Sequence, residues 1–225
     1  MTTLPDIRKF QTILFDCDGV LLNSNRLKTD AFRAVAIEFG QNAARELVDY
    51  HVANGGVSRQ KKFDYFARHI IKARRPQALA DRLVDLYGAV LRDRLQHCEG
   101  ANGLSALRRY TLASQWGVVS GGSQAELRAV FAQRGLSSHF DLGIWGNPKD
   151  KCALLKELLT DQLPRGPGLY LGDSRYDHVA AEHAGLSFVF VSGWTEFSGW
   201  REYCDDRNIP VISSLVELLP ADVKG

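Results

Sequence analysis

Short apolar runs alternate with helical patterns over most of this chain. Residues 12–16, 116–120, 141–145, 169–173 and 187–191 read as strands, and 210–213 as a weaker one. Helical spacing appears at 104–110, at 124–134 with Leu127, Val130 and Phe131, at 152–159 and at 179–184. Strands separated by helices predict a parallel sheet covered on both faces. The expected fold class is therefore α/β, with a Rossmann-like parallel sheet.

One stretch breaks the alternation. From Asn23 to Gln96 the pattern is helix after helix, with no strand-like run. Leu27, Ala31, Ala34 and Val35 mark the first. Phe63, Phe66, Ala67, Ile70 and Ile71 mark another. Leu79, Leu83, Leu86, Val90 and Leu91 mark a third, opened by Pro76. The expectation is an α/β core from residues 1–22 and 97–225, with an all-helical cap domain inserted at 23–96.

Composition adds boundaries rather than chemistry. With 225 residues and a net charge of +2, the chain has room for a large core, and its charge gives no argument for nucleic acid or a membrane as partner. The first residues lack the basic and apolar regions of a signal peptide, so a cytoplasmic protein is expected. Cys17, Cys98, Cys152 and Cys204 are far apart and form no C-x-x-C pair, which argues against zinc and for reduced thiols. The oligomeric expectation is a monomer or weak homo-oligomer.

The chemistry begins at Asp16-Cys17-Asp18-Gly19-Val20, directly after the first strand. Side chains alternate along a strand, so Asp16 and Asp18 are expected on one side. Two adjacent carboxylates need a cation or a shared proton. The fourth strand ends in Gly172-Asp173, with Asp177 four residues on. Four acids at strand ends suit a hard dication such as Mg²⁺. For Asp177 the alternative is a simple helix cap. The second strand ends in Ser120-Gly121-Gly122, a hydroxyl and unhindered N–H groups fit to cradle a phosphate. Lys149 and Lys151 precede a helix, and either would place an ammonium near the acids.

These segments, in this order, resemble the haloacid dehalogenase superfamily, in particular members with a helical cap after the first strand. The resemblance implies that Asp16 is a nucleophile forming an aspartyl-phosphate and that Asp18 is its acid and base. It implies Mg²⁺ held by Asp16, the Asp18 backbone carbonyl and Asp173, with Asp177 orienting them. Ser120 and the N–H groups of Gly121 and Gly122 would bind phosphoryl oxygens. Of the two lysines, Lys151 is favoured, because the helical segment follows it directly. The acid at position 18 points to phosphate esters rather than carbon halides or phosphonates.

The inserted segment supplies three further candidates for substrate binding. Asn23 stands where relatives often carry aspartate. Lys28 falls where sugar-phosphate mutase relatives carry histidine, and either contacts an anionic substrate or is a solvated lysine. Arg59, in Gly55-Gly56-Val57-Ser58-Arg59, either clamps a phosphate or follows Ser58 as an exposed arginine at a helix start. Together the residues predict a Mg²⁺-dependent phosphatase for a small phosphorylated metabolite, such as a sugar phosphate. The rivals are a hexose-phosphate mutase and a non-catalytic phosphate-binding regulator.

Overall fold

The structure is a computed structural model that describes residues 3–161 and 166–223, so the extreme ends of the expected core segment lie outside it. Six strands form one parallel sheet: β1 (Thr12–Phe15), β2 (Gln115–Ser123), β3 (Gly143–Asn147), β4 (Gly168–Gly172), β5 (Ser187–Val191) and β6 (Val211–Ile212). Their spatial order is β3-β2-β1-β4-β5-β6, and every pair is parallel. This is the doubly wound α/β order, in which the chain reverses direction between β1 and β4. Ligands bind outside the carboxyl ends of strands at such a reversal, so the ends of β1 and β4 are the places to look.

The pleat divides the apolar residues between two cores. Ile13 and Phe15 of β1, Trp116 and Val118 of β2, and Leu169 and Leu171 of β4 face one side. Leu14, Val119 and Tyr170 face the other, against Leu154, Leu155, Ala180 and Ala181. Both faces are apolar because helices cover both. Phe15 packs on Trp116 with ring centroids 4.7 Å apart, and the Trp116 indole N–H donates to Thr111 Oγ1 at 3.1 Å.

Between β1 and the next core helix lie four α-helices: α1 (Asn25–Ala36), α2 (Gln41–Ala53), α3 (Arg59–Tyr65) and α4 (Pro76–His97). Pro76 opens α4, where its missing N–H costs nothing. Ser58 caps α3, its side chain accepting from the Lys61 N–H. Phe32, Phe63 and Tyr87 cluster inside this bundle, with Phe32 4.9 Å from Phe63 and 4.5 Å from Tyr87. The remaining helices belong to the sheet: α5 (Leu104–Tyr110), α6 (Gln124–Gln133), α7 (Lys151–Asp161), α8 (Arg175–His183) and α9 (Trp200–Asp206).

Two details differ from the sequence expectation. The Ser120-Gly121-Gly122 segment continues β2 through Ser123, with a register shift against β3, instead of forming a turn. The helices α2 and α9 were not foreseen. No helix among the described residues is long and apolar enough to cross a membrane. The four cysteines are free, with Cys17 and Cys204 buried.

Candidate active site

β1 ends at Phe15, and Asp16 follows as the next residue on the α7–α8 side of the sheet. It is buried, and its Oδ1 accepts from the Cys17 N–H at 2.8 Å. Lys151, the first residue of α7, places its ammonium 3.2 Å from Asp16 Oδ1 and also donates to Asp177 Oδ1. The lysine side chain is wholly buried between these two carboxylates. Lys149 instead projects outward and pairs with Glu157. Of the two lysines, then, Lys151 is the one the fold brings to Asp16.

Asp173 follows β4 and Asp177 lies in the first turn of α8. Oxygens of Asp16, Asp173 and Asp177 all lie within 4.8 Å of one another. Asp177 caps its helix as well as meeting the lysine. Its Oδ2 accepts from the N–H groups of Asp173 and Ser174 at 3.2 and 3.0 Å and from Ser174 Oγ at 2.7 Å, closing a capping box. With both oxygens so engaged, Asp177 fixes the cluster's geometry, and Asp16 and Asp173 are the freer donors. Gly19 closes the cluster from above. It holds φ at +75°, and a Cβ there would sit 2.1 Å from Asp173 Oδ2.

Asp18 does not stay beside Asp16 as strict alternation predicted. The strand has ended, and the Cys17 carbonyl accepts N–H bonds from Val20, Leu21 and Leu22 in a tight turn. That turn aims the Asp18 carboxylate at the inserted helices. There it accepts from Ser24 Oγ at 2.5 Å and from Lys28 Nζ. Its side chain therefore stands outside the acidic triad.

The charges respond to these neighbours. Burial raises the Asp16 carboxyl to about 7; Lys151 opposes the rise, while Asp177 and Asp18 add to it. Burial, then Asp177 and Asp16, hold Asp173 well above the carboxylate range. Burial would also raise Asp18, but the Lys28 charge and the Lys28 and Ser24 hydrogen bonds outweigh it, leaving a net downward shift. Lys151 runs the other way: burial favours its neutral form, yet Asp16 and Asp177 keep it well above its ordinary value. The protein's own ammonium thus does not fully offset the buried acids. Oxygen donors carrying uncompensated negative charge fit a small hard dication.

A cavity of about 370 Å³ opens between this cluster and the inserted helices. Asp16, Asp18, Lys28, Arg59, Gly121, Gly122 and Asp173 all line it. Arg59 is mostly covered and grips Glu126 of α6 bidentately, at 2.7 and 2.9 Å, with its guanidinium over the Tyr87 ring. Four expected residues do not line the cavity: Lys151 and Asp177, which stay buried in the acidic cluster, and Asn23 and Ser120. Asn23 pairs with Glu99 at 3.1 Å, tying together the two strands of chain that enter and leave the insertion. Ser120 is completely buried below Gly121 and Gly122, and its Oγ accepts from the Gly122 N–H at 3.1 Å.

Other residues reach the site without a local sequence signal. Asn25 Nδ2 donates to Asp173 Oδ2 at 2.6 Å and to the Trp194 carbonyl at 2.9 Å. Thr195 Oγ1 donates to the Asp173 carbonyl at 2.6 Å, and Thr29 Oγ1 to Glu196 Oε2 at 2.5 Å. The segment 192–200 after β5, with Trp194, Phe197 and Trp200, is therefore a wall of the cavity, through Thr195, Glu196 and Phe197. His51 and Lys62 line the insertion side.

A family model for haloacid dehalogenase-like hydrolases matches residues 10–185. The chain belongs to that family. Solved structures with the same fold include one from Clostridium acetobutylicum described as a predicted phosphatase. It is 16% identical, with a TM-score of 0.71, covering 93% of this chain and 96% of its own. Another is a β-phosphoglucomutase from Clostridium difficile, 16% identical, TM-score 0.67, covering 96% of each chain. A haloacid dehalogenase-like protein from Streptococcus pneumoniae is also 16% identical, at TM-score 0.60, covering 87% of this chain and 92% of its own. No curated protein matches the sequence. At these identities the neighbours speak for the fold; the hydrolase assignment rests on the family.

Proposed function

We propose that this hydrolase is a Mg²⁺-dependent phosphatase acting on a small phosphorylated metabolite, with the inserted helices as its cap. The observation that carries the reading is the division of the two acids. Asp16 is buried against Lys151 and Asp173, whereas Asp18 faces the cavity from the cap side. A nucleophile and a proton carrier need just such separate surroundings. The similar structures described as a phosphatase and a phosphoglucomutase support phosphate esters as the chemistry.

Asp16 and Asp173 would hold Mg²⁺, with the Asp18 backbone carbonyl as the family resemblance implies. When bound, the ion supplies positive charge to the acids and to the phosphoryl oxygens. Asp16 Oδ attacks phosphorus, and the bond from phosphorus to the ester oxygen breaks. That oxygen takes its proton from Asp18 in its protonated form, which the Lys28 and Ser24 contacts disfavour until an anionic substrate draws Lys28 away. Lys151 screens the approach of one anion to another. In the second step Asp18 takes a proton from water. The water oxygen bonds to phosphorus, the bond to Asp16 breaks, and phosphate leaves. Gly121 and Gly122 line the cavity without side chains and so leave room for the phosphoryl group, while Ser120 fixes this stretch of β2 from below by accepting the Gly122 N–H.

A mutase is less well supported, because Lys28 in its ion pair with Asp18 occupies the position where mutase relatives use histidine. The test is phosphate release from a panel of sugar phosphates, nucleotides and phosphorylated acids with Mg²⁺. Release that requires Mg²⁺ is expected. No release from any of them sinks the proposal.

A further inference from the structure

Three cations line the cap side of the cavity, and they are not equivalent. Lys28 is paired with Asp18, and Arg59 with Glu126. Lys62, 2% exposed, pairs with no carboxylate among the described residues. Its ammonium donates to His51 Nδ1 at 2.7 Å and to the His51 carbonyl at 3.3 Å, and it lies 5.7 Å from the centre of the Phe32 ring. The charges that act on it across the cavity are Lys28, Asp18, Glu196 and Asp173. Burial, followed by Lys28, lowers this ammonium's pKa to about 7. A buried cation without a counter-charge is costly, and a bound anion would relieve that cost.

The donors left over indicate which anion. An ammonium has three N–H groups, and two of these meet His51. Because Nδ1 of His51 accepts from Lys62, the neutral ring carries its hydrogen on Nε2, on the far side of the ring from the ammonium. Burial, then Lys62, keep this histidine well below its ordinary value, in agreement with a neutral ring. The ammonium therefore keeps a single charged N–H at the cavity wall, enough for one oxygen of a carboxylate. Arg59, whose fork would suit a second phosphate, is already engaged by both oxygens of Glu126. The cavity of about 370 Å³ leaves space for only a short spacer between the two ends.

We propose that Lys62, held in place by His51, forms a carboxylate site at the cap end of the cavity, so that the substrate is a small phosphate monoester carrying a carboxylate. This inference rests on the phosphatase reading for the other end of the molecule. A matched pair of probes tests it: 3-phosphoglycerate, and glycerol 3-phosphate, in which a hydroxymethyl group replaces the carboxylate. The wild-type enzyme with Mg²⁺ should favour the carboxylate ester in kcat/KM by about tenfold or more, the range for a hydrogen bond to a charged group. Lys62→Met removes a buried charge while keeping an unbranched apolar stem, and should shrink that ratio by about tenfold. A wild-type enzyme with no preference overturns the proposal without recourse to any variant. So does a Lys62→Met enzyme whose ratio is unchanged.

Calorimetric titration of the same two esters into Asp16→Asn protein with Mg²⁺, with and without Lys62→Met, separates this proposal from the phosphatase reading. Lys62-dependent binding of the carboxylate ester without phosphate release by the wild type leaves the carboxylate site standing and removes the hydrolysis. Hydrolysis of both esters at equal efficiency does the reverse. Absence of both binding and turnover overturns the two together.

Discussion

Gly121→Ala is the most direct test of how closely the cap must sit on the core. A Cβ at this position would lie 2.2 Å from the Gly56 carbonyl oxygen and 3.1 Å from its carbon. Ordinary contact starts at 3.4 Å, so the two segments must part by about 1 Å. Neither side can yield by rotating a side chain, because the obstacle is backbone. Gly56 lies three residues before Arg59, so its retreat pulls on the bidentate contact with Glu126 and moves the cap-side groups away from Asp16. A misplacement of about 1 Å costs roughly 10²-fold in rate. The loss of stability should be far smaller, about 1 kcal/mol or less, because Glu126 is partly exposed and the sheet core is untouched. The assay is kcat/KM on the best phosphate ester beside a thermal melt. Gly122→Ala is the internal comparison: its Cβ finds its nearest neighbours at 3.5 and 3.6 Å, so the loss at 121 should exceed that at 122 by about tenfold or more. A Gly121→Ala enzyme within twofold of wild type refutes the claim that closure depends on this contact.

Three further predictions concern the charges. Asp16→Asn should lower turnover by at least ~10³-fold while raising the melting temperature of metal-free protein, since it removes one of three crowded acids; substantial residual turnover refutes the nucleophile. The folded-state pKa of Asp16 is raised from 3.8 to about 7, so its stabilising contribution is complete below 3.8 and is lost as pH rises through about 7. Metal-free protein should therefore lose stability across that window. The rise in melting temperature caused by Mg²⁺ should grow from pH 5 to pH 8, and a shift that shrinks instead contradicts the triad as its site. Lys28→Met removes the charge that offsets burial at Asp18, so the Asp18 pKa should rise and carry the pH optimum of kcat/KM upward; an optimum that stays in place refutes the coupling of Lys28 to the proton carrier.

The sheet was legible because a strand buried on both faces is a continuous apolar run, and its polar terminus stands out against it. That is why Asp16 and Asp173 could be read directly, each one residue past a strand. Helix α2 escaped because only Ala44, Leu47 and Val48 are buried along it, and α9 because only Cys204 is. Glycines 121 and 122 suggested a turn, since glycine usually interrupts strands; here it admits the Gly56 loop at close range. Asn23 was expected because relatives often carry aspartate there, but it pairs with Glu99, and Asn25, the first residue of α1, makes the contact with Asp173. Asn25, Lys62, His51 and Glu196 carry no local motif. Tertiary folding alone brings Asn25 to Asp173 across 148 positions.

The contacts between the inserted helices and the sheet unit are of two kinds: an apolar core continuous through Leu91 and Leu95 of α4 to Leu127 and Val130 of α6, and a polar seam around the cavity. Each body is held by aromatic and aliphatic packing, whereas Lys28–Asp18, Arg59–Glu126, Lys61–Asp150, Asn25–Asp173 and Thr29–Glu196 are polar. Polar pairs with access to water contribute about 1 kcal/mol or less each, because water replaces the partner when they separate. Apolar packing offers no such replacement, so opening should part the polar seam around the cavity and pivot on the apolar contact between α4 and α6. If the seam sums to roughly 2–3 kcal/mol, about 1% of molecules stand open at any moment, enough to admit a substrate. Two of these pairs also hold catalytic or binding candidates in the closed form: Lys28 occupies Asp18, and Glu126 occupies Arg59. An anion entering the cavity would compete with Asp18 for Lys28 and so loosen the seam there, whereas Arg59 stays held by both oxygens of Glu126.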